Sequence, residues 1–452
     1  MFSAHAPLIV LARWMKRRRI WSPVERLVTI KQKTVHYRPI DKLRAVFLLI
    51  LSGAHGLVQA NTVLGQDQAL AQVAGFAAWP DQSTLSATVS AATKETVQAM
   101  RSSLVSIYQI HGLARQLCVD KLSTLDVDLT GLICGNQAEG ATKGYFSEQP
   151  GRRGRQVGRI VAPATGEILM QDVYAGNKQL SDAFQPLVEA TETVLRLTTP
   201  ERRKRILLRT DGGGGTEEEI NWALGRDYHL LTKLKNYQRT QKLAATAVTW
   251  YDDGTVPGRS LGLVQEPSTF LKSTLQVAVR STRERRGVQE TTTRVLVTDL
   301  SKREIMQQTG QRCQGEPSVE QVVLAVAHLY DERGGGVETA NREDKQGLGL
   351  SQRNKESMVG QQMLVLLAEL AHNVVIWART EMAQVSPQAA HYGLQRFVRD
   401  LLQITGYVSN SRGKKGQRLK LRLSAHNPLS EKMLPAFQAL AGSHLSVYLG
   451  EI

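Results

Sequence analysis

The sequence predicts a mixed α/β protein in which helices come first and a β-rich segment interrupts the sheet. Over roughly the first 120 residues, apolar residues recur at the three- and four-residue spacing of an amphipathic helix. From about residue 123, short apolar and β-branched runs are bounded by glycine and proline, and they then alternate with helical stretches. From about residue 228 to 310 the pattern is that of strands alone. Strands that first follow one another and then alternate with helices indicate a mixed sheet.

These changes of pattern divide the chain into five predicted segments. A length of 452 residues is enough for roughly two to four domains. The segments are a helical N-terminal region (1–120), the first part of an α/β domain (121–235), a β-rich insertion (236–312), the second part of the α/β domain (313–385), and a C-terminal region of helices and a basic strand (386–452).

The N-terminal region contains two helical stretches, IDKLRAVFLLILSGAHGLVQANTVL and STLSATVSAATKETVQAMRSSLVSIYQI, separated by the turn GFAAWPDQ. A helix, a turn with glycine and proline, and a helix that opens on Ser83 or Thr84 are compatible with a helix-turn-helix, which places its second helix in a DNA groove. An ordinary helical bundle fits the pattern equally well. The basic lead-in from Arg13 to Arg19 favours nucleic acid.

In the first part of the α/β domain, the consecutive runs STLDVDLTGLI, RQVGRIVAP and GEILMQDVYAG predict strands joined by tight turns. A helix from about Ser181 to Leu197 follows, then the strand RKRILLRTDG and a helix that opens after GGGG. Near the C-terminus, GKKGQRLKLRLS places Arg418, Lys420 and Arg422 on one face of a strand. That face could follow a phosphate backbone, although an edge strand protected by charge has the same pattern.

The charge and hydropathy of the chain narrow the choice of partner. Lysine and arginine outnumber aspartate and glutamate by 57 to 41, which gives a formal net charge of +16 and a pI near 9.8. A polyanion is therefore the expected partner, with an acidic membrane surface as the alternative. The longest apolar runs, AVFLLILSGAHGL and MLVLLAELAHNVVIWA, are short or interrupted by polar residues, so we expect buried helices and no membrane partner.

The cysteines exclude two classes of small stabilised fold. Cys118, Cys134 and Cys313 are odd in number and form no CxxC pair, so neither a disulfide framework nor a zinc ribbon is supported. A reducing cytoplasm suits such a chain best. No secretory signal is indicated, because Lys16–Arg19 follow a weak apolar run instead of preceding it.

Three acidic residues stand where α/β sheets place their sites, at strand ends and on a nearby helix. Asp128 lies in LDVDLTG, an otherwise apolar run, and Asp126 shares its face because strand residues two apart point the same way. Asp211 ends the strand ILLRTDGGGG. Glu338 follows the glycines of YDERGGGVETANREDK and begins the predicted helix VETANREDKQGLGL. Buried carboxylates are costly unless they are paired, hydrogen-bonded or bound to metal.

Asp128, Asp211 and Glu338 would supply the oxygen ligands that Mg²⁺ prefers. Two such ions roughly 4 Å apart can activate a nucleophile on one side of a phosphodiester and stabilise the leaving oxygen on the other. This is the chemistry of nucleases and of strand transfer. The side chains near Glu338 that could hold the DNA backbone are Tyr330, Arg333, Arg342 and Lys345.

Each acid taken alone also has a structural explanation. An aspartate before glycine at a strand end is often a turn former. Acids at Glu217–Glu219, after GGGG, suit the N-terminus of a helix, and Glu338 could simply pair with Arg342. The joint occurrence of the three acids in this order favours the metal site.

Three stretches resemble the DDE-type transposases of bacterial insertion sequences, in the group whose RNase H-like catalytic domain carries a β-rich insertion. DLT at Asp128 resembles the first-aspartate motif, and RTDGGGG at Asp211 resembles the second. YDERGGGVETANREDKQGLGL resembles the signature of Tyr, Arg, Glu and Lys around the catalytic glutamate, with Glu338 and Lys345 at the expected offset of seven residues. GNQAEGATKGYF and LAHNVVIWAR are also similar to recurrent stretches, so the resemblance runs from about residue 40 to the end.

One departure from the family pattern falls in the signature. The family has three residues between the signature arginine and glutamate, whereas four separate Arg333 from Glu338, and the extra one lies within Gly334–Gly336. A glycine run can absorb an extra residue as a bulge or a loosened turn, so we expect the active site to be retained.

The resemblance implies an RNase H-like mixed sheet with an inserted all-β subdomain, preceded by a helical DNA-binding region. It implies a cut-and-paste DNA transposase that cleaves the ends of its element and transfers the freed strands into target DNA. Asp128, Asp211 and Glu338 would be the catalytic residues and the ligands of two Mg²⁺ ions, for which Mn²⁺ would substitute. The signature residues Tyr330, Arg333 and Lys345 would bind or orient DNA near the cut.

The resemblance also implies the partners and the location. These are double-stranded DNA, as terminal inverted repeats and as target, and a second copy of the chain in a synaptic complex within the bacterial cytoplasm, nucleoid-associated when bound to DNA. Two alternatives stay open. A catalytically inactive, transposase-derived DNA-binding protein would keep the basic surface without needing the acids, and an RNase H-like nuclease would cut without strand transfer. The presence of all three acids favours the transposase.

Overall fold

The computed structural model describes residues 1–34, 36–146, 149, 151–285, 287–311, 315–413 and 416–451. Cys313 lies outside these residues, and the side chain of Arg418, predicted on the basic strand face, is likewise outside the described part. Within the described part, Cys118 is a buried free thiol and Cys134 a partly buried one.

The helices are α1 (Ala6–Arg17), α2 (Ser22–Leu27), α3 (Pro39–Leu51), α4 (Gln68–Ala74), α5 (Gln82–Ser90), α6 (Lys94–His111), α7 (Ala114–Asp120), α8 (Leu180–Leu195), α9 (Pro200–Arg203), α10 (Glu217–Gly225), α11 (Tyr237–Ala245), α12 (Lys302–Gln308), α13 (Val319–Asp331), α14 (Val337–Gly347), α15 (Met358–Ala383), α16 (Leu394–Arg396) and α17 (Pro428–Ala441). The strands are β1 (Phe2–Ser3), β2 (Ser123–Ile133), β3 (Thr142–Lys143), β4 (Arg153–Ala162), β5 (Glu167–Ala175), β6 (Ile206–Thr210), β7 (His229–Lys233), β8 (Trp250–Asp252), β9 (Arg259–Leu263), β10 (Leu275–Arg285), β11 (Val288–Thr298), β12 (Gly406–Gly413), β13 (Gly416–Ser424) and β14 (Leu445–Gly450).

The larger sheet is mixed, with the order β3-β4-β2-β6-β7-β11-β10-β9-β8 and with β5 paired to β4. Strand β4 runs antiparallel to both β2 and β5, whereas β2, β6 and β7 run parallel to one another. Strands β4 and β5 are joined by a short turn, whereas the connection from β2 to β4 is long and contains β3. The parallel strands are joined through helices α8 to α10, as parallel pairs require. The predicted mixed α/β fold is confirmed.

The β-rich segment continues the larger sheet instead of forming a sheet of its own. Strand β11 pairs antiparallel with β7, with Leu296 opposite Lys233, and β10, β9 and β8 follow outward from it. The segment predicted as an inserted subdomain therefore extends the same sheet away from the strands that carry the acids. The predicted domain boundaries stay predictions.

Helices α1 to α7 occupy the chain before β2, with one difference from the expected pattern. The second long helical stretch is divided, because α5 ends at Ser90 and α6 begins at Lys94. The Thr93 hydroxyl accepts a hydrogen bond from the Thr96 amide and caps α6, while the Asp81 carboxylate caps α5. Two N-cap residues thus start two separate helices.

Helix α15 is the central element of the molecule and packs against β5, α3, α6 and α17. It is 26 residues long, and its most apolar window has a mean hydropathy of 1.4. Among the described helices it alone is long and apolar enough to span a membrane, and 94% of that window is buried inside the protein. Its position agrees with the buried helix expected from the sequence.

The two ends of the described chain share a smaller sheet with the order β1-β12-β13-β14. Strand β1 pairs antiparallel with β12, and β13 pairs parallel with β14 across α17. Helix α1 packs on α17, so the N-terminal helices and the predicted C-terminal region lie against each other.

Candidate active site

The parallel register of β2 and β6 brings two of the predicted acids together. Val127 pairs with Thr210 in the last pair of the parallel ladder, so the next position on each strand places Asp128, in the middle of β2, beside Asp211, just beyond the carboxyl end of β6. Asp211 then turns the chain, because its carboxylate accepts a hydrogen bond of 2.7 Å from the Gly213 amide. The strands of an α/β sheet commonly present functional residues at this edge.

Asp126 lies two register positions before this pair and has a different role. It faces Arg209 across the two strands, and the guanidinium donates hydrogen bonds of 2.6 and 3.1 Å to its two carboxylate oxygens. Asp126 is fully buried and Arg209 is 1% exposed. This carboxylate is therefore neutralised within the core, which assigns the open position to Asp128.

Helix α14 carries the third acid, Glu338, in its first turn. The preceding residues Glu332–Gly334 form a single 3₁₀ turn, and Gly336 passes so close to the sheet that a Cβ atom there would lie 2.2 Å from an Asp126 carboxylate oxygen. The Val337 amide lies 3.4 Å from the same carboxylate. The glycine run therefore lets the start of α14 approach the strand that carries the first acid.

Arg333 links the helix to the strands. Its Nη2 donates to Asp128 Oδ1 at 3.2 Å, while its Nη1 lies 3.9 Å from Glu338 Oε1 and 3.4 Å from the Tyr330 hydroxyl. The guanidinium thus stands between two of the predicted acids. Tyr330 and Arg333 are 9% and 5% exposed, so both lie beneath the surface, and their direct contact with DNA stays a prediction.

Asn341 is a further site residue that the sequence analysis did not single out. It lies three residues after Glu338 on α14, and its amide donates a hydrogen bond of 2.8 Å to Asp128 Oδ2. Its own oxygen, Oδ1, is buried and has no hydrogen-bond partner among the described residues. The three-residue helical spacing from Glu338 is the signal that would have found it.

Buried polar contacts fix α14 on the sheet. Asp344 accepts a hydrogen bond of 3.0 Å from Arg159 of β4 and one of 2.7 Å from His372 of α15, and all three side chains are almost fully buried. Burial alone would raise the pKa of Asp344, but His372 and Arg159 outweigh it and hold that pKa below its ordinary value. A paired carboxylate at this depth holds the helix in one position relative to the strands.

A cavity of about 880 Å³ opens beside the acids. Asp128, Asp211 and Lys345 line it, together with Lys143 and Lys178 from the far wall. Glu338, which is 60% exposed, is not among the described residues that line it. The cavity therefore combines two carboxylates with cations, as a groove for a phosphate backbone requires.

The electrostatics of the cavity follow from the grouping of the acids. Burial raises the pKa of the Asp128 carboxyl to about 6, the Arg333 guanidinium opposes this shift, and the charges of Asp211 and Glu338 add to it. Burial and the Arg159 charge lower the pKa of Lys345 to about 8, against the attraction of Asp128. The charges of Asp211 and Glu338 therefore lie near enough to disfavour ionisation of Asp128. Arg342, on the same helix as Glu338, is exposed to solvent.

The carboxylates are gathered in one region but do not form a closed cage. Within the described ranges, no three His, Cys, Asp or Glu side chains stand close enough together to hold a metal ion. The Glu338 side chain is 60% exposed, so it can change rotamer without disturbing the core.

Fold and site together define an α/β protein with an acidic centre at the carboxyl edge of parallel strands, set in a groove lined by cations. Residues 1–444 match the family model described as "Transposase DDE domain group 1". The chain therefore belongs to this family of DDE transposases, and the predicted family is confirmed. As a transposase the protein acts on DNA, and enzymes of the DDE type use divalent metal ions.

No curated protein matches the sequence. Among solved structures, the chain is similar to a cryo-EM structure of a piggyBac transposase synaptic complex with hairpin DNA. The TM-score is 0.44 and the sequence identity 10%, over 88% of this chain and 80% of the other. The assignment of the site depends on the family and on the geometry given above.

Proposed function

We propose that the protein is a cut-and-paste DNA transposase that cleaves both ends of its element and joins them to target DNA. In the first step the oxygen of water bonds to phosphorus, and the 3′ oxygen of the cleaved strand leaves. In the second step the freed 3′ hydroxyl oxygen bonds to a target phosphorus, and the target's own 3′ oxygen leaves. Both steps are in-line phosphoryl transfers that one site can serve.

The register of β2 and β6 carries this proposal. Two aspartates from different parts of the chain occupy neighbouring positions where the parallel pairing of β2 and β6 ends, and both line a cavity that also contains cations. Among the described residues, no guanidinium binds both carboxylate oxygens of Asp128 or of Asp211, as Arg209 does for Asp126. The mixed sheet, with antiparallel strands followed by parallel ones, supports an RNase H-like catalytic domain for this chemistry.

The donor chemistry of the site fits Mg²⁺, with Mn²⁺ as a substitute. Asp128, Asp211 and Glu338 offer carboxylate oxygens, and the unpartnered Asn341 Oδ1 offers an amide oxygen beside them. These are the hard oxygen donors that such ions take. Glu338 would turn inward to complete the set. Two ions held there would activate the attacking oxygen and stabilise the leaving oxygen.

The chain's own cations would hold the DNA. Lys345 lines the cavity beside Asp128 and would contact a phosphate near the cut, and the exposed Arg342 would contact the backbone farther out on the same helix. Arg333 and Tyr330, which are buried under the acids, would orient Asp128. The helical region before β2 would recognise the inverted repeats, and two copies would pair the ends in the cytoplasm.

The test uses a supercoiled plasmid that carries the DNA flanking the gene, incubated with the purified protein and Mg²⁺ or EDTA. Glu338→Gln should abolish Mg²⁺-dependent cutting at two mirrored sites while leaving DNA affinity within about twofold, because the exposed carboxylate contributes little to packing. Gel analysis of the plasmid and fluorescence anisotropy of labelled duplex provide the two measurements.

Glu332→Gln is the matched control. Glu332 is 58% exposed, against 60% for Glu338, and it lies only six residues earlier, so its variant should cut at the normal rate. Loss of binding together with cutting in Glu338→Gln would contradict the proposal. Binding without cutting by the native protein, even in Mn²⁺, would favour an inactive DNA-binding protein, and cutting without joining of a pre-cut end would favour a nuclease.

A further inference from the structure

The smaller sheet has one face covered by helices and one face open. Along β12, β13 and β14, buried and open side chains alternate, so Val408, Leu421 and Val447 point inward toward α1 and α17. The intervening residues of each strand point outward. This outward surface, here called the terminal-sheet face, consists of Phe2, Tyr407, Ser409, Lys420, Arg422, Ser446 and Tyr448.

The register aligns three aromatic rings and one arginine in a row across all four strands. Phe2 pairs with Tyr407, Tyr407 with Arg422, and Arg422 with Tyr448. Phe2, Tyr407 and Tyr448 are 49%, 42% and 39% exposed, which is high for rings on a sheet of this size. The Phe2 and Tyr407 rings contact each other edge to face, with centroids 6.3 Å apart.

The terminal-sheet face is positively charged. The four strands contain no aspartate or glutamate, whereas Lys420 and Arg422 both project from β13. The Arg422 guanidinium lies 5.8 Å from the Tyr407 ring centroid, which keeps a cation beside an aromatic surface. The face thus combines aromatic rings with cations, and the four strands contain no carboxylate that could pair with Lys420 or Arg422.

We propose that the terminal-sheet face binds single-stranded DNA, with bases stacked on Tyr407 and Tyr448 and phosphates held by Lys420 and Arg422. The inference deepens the proposed function, on which it rests for the nature of the partner. Aromatic side chains on a basic surface bind unpaired nucleic acid with little sequence preference, because every base has a face that can stack. A four-stranded sheet that presents two or three rings is a known platform for such stacking.

Charge decides against the competing occupant, a second copy of the chain. A two-fold contact would place Lys420 and Arg422 of one copy against the same cations of the other, with no carboxylate on the four strands to separate them. In single-stranded DNA, the phosphates can pair with the cations and the flat bases can stack on the rings. The face belongs to a different sheet from the acids, so it would hold strand segments away from the cut itself.

The test measures binding of a fluorescent oligothymidine by anisotropy, using the full-length protein in EDTA so that no cutting intervenes. Tyr407→Ala and Tyr448→Ala should each weaken binding at least about fivefold, and the double variant should lose more. Tyr237→Ala removes a tyrosine of 65% exposure on α11 and should bind within about twofold of the native protein. Circular dichroism confirms that each variant is folded.

The outcomes separate this inference from the proposed function. Glu338→Gln should bind oligothymidine as tightly as the native protein, so a failure of cleavage leaves the binding result unaffected. Unchanged binding in the double variant would overturn the inference. If the double variant differs from the native protein in mass by light scattering but not in oligothymidine binding, the face belongs to a contact with a second copy. If the native protein binds duplex DNA but not oligothymidine, the inference is likewise overturned.

Discussion

At the scale of single residues, the neighbours of a carboxylate decide what it can do. Asp126 and Asp128 point to the same face of β2, two residues apart. Arg209 donates to both oxygens of Asp126, whereas Asp128 receives one bond from Arg333 and one from Asn341 at the edge of the cavity. The first acid is a structural anion, and the second is open to a ligand.

Asp126→Asn and Asp128→Asn should therefore separate stability from catalysis. Asp126→Asn leaves a buried arginine without its main partner and should cost about 3–5 kcal/mol of unfolding free energy. Asp128→Asn should keep the stability within about 1 kcal/mol and abolish cutting. Urea denaturation and the plasmid assay check the two effects. Equal losses of stability in both variants would contradict this division.

The sequence predicted these acids but could not rank Asp126 against Asp128 on physical grounds. The residue that distinguishes them, Arg209, is 83 positions away and becomes their neighbour only through strand pairing. Asn341 was missed for a different reason, since its three-residue spacing from Glu338 points to the site only once the fold places Asp128 beside that helix. Local patterns report spacing along one element, whereas pairing between elements sets the chemistry.

At the scale of elements, α14 is fixed at both ends of its buried face. Gly336 sets the approach of its first turn to β2, and Asp344 anchors its last turn to β4 and α15. Glu338 and Asn341 lie between these anchors, and Lys345, which lines the cavity, directly follows Asp344. The extra residue in the signature is accommodated before the helix begins, in the 3₁₀ turn and the glycines after it.

The glycines of this turn differ in what they tolerate. A Cβ at Gly336 would meet an Asp126 oxygen at 2.2 Å and Pro163 at 3.2 Å, and Asp126 cannot move because Arg209 holds it. Gly336→Ala should therefore cost about 1–3 kcal/mol and reduce cutting. At Gly335 the nearest atom is 3.6 Å away and φ is −80°, so Gly335→Ala should be neutral. Thermal melts and cutting rates compare the pair, and equal effects would contradict the close approach.

At the scale of the whole molecule, α15 joins the larger sheet, the N-terminal helices and the terminal sheet into one packed body. Glu369 lies in the middle of this helix, 5% exposed, and its Oε2 has no partner among the described residues. Burial raises the pKa of Glu369 from its ordinary 4.5 to about 8. Arg101 and Arg159 oppose the shift, and Asp344 and Asp172 add to it.

This buried acid should make global stability depend on pH. The folded state holds the Glu369 proton more tightly than the unfolded state, so its contribution is complete below pH 4.5 and is lost as the pH rises toward about 8. In Glu369→Gln, the fall in unfolding free energy between pH 5 and pH 8 should shrink by about 1–3 kcal/mol. Urea titrations of both proteins at pH 5 and pH 8 measure this fall in unfolding free energy. An equal fall in the native protein and in Glu369→Gln would contradict the prediction.

The overall assembly was partly predictable from the sequence. Long periodic stretches such as α15 were predicted correctly as buried helices, and the strand patterns gave the mixed sheet. The extension of that sheet by the β-rich segment was not predictable, since the pairing of β7 with β11 depends on geometry that no local pattern records. The terminal sheet was missed because β1 is only two residues long and pairs with a strand near the other end of the chain.

That pairing has a consequence for how the protein is made. The backbone of Met1 bonds to Val408, 407 residues later, so β1 has no strand partner until β12 has been synthesised. At about 5–20 residues per second, translation would leave it waiting for roughly 20–80 s. Prematurely terminated chains would lack the terminal sheet altogether. The terminal sheet is therefore among the last parts of the described structure that can form during synthesis.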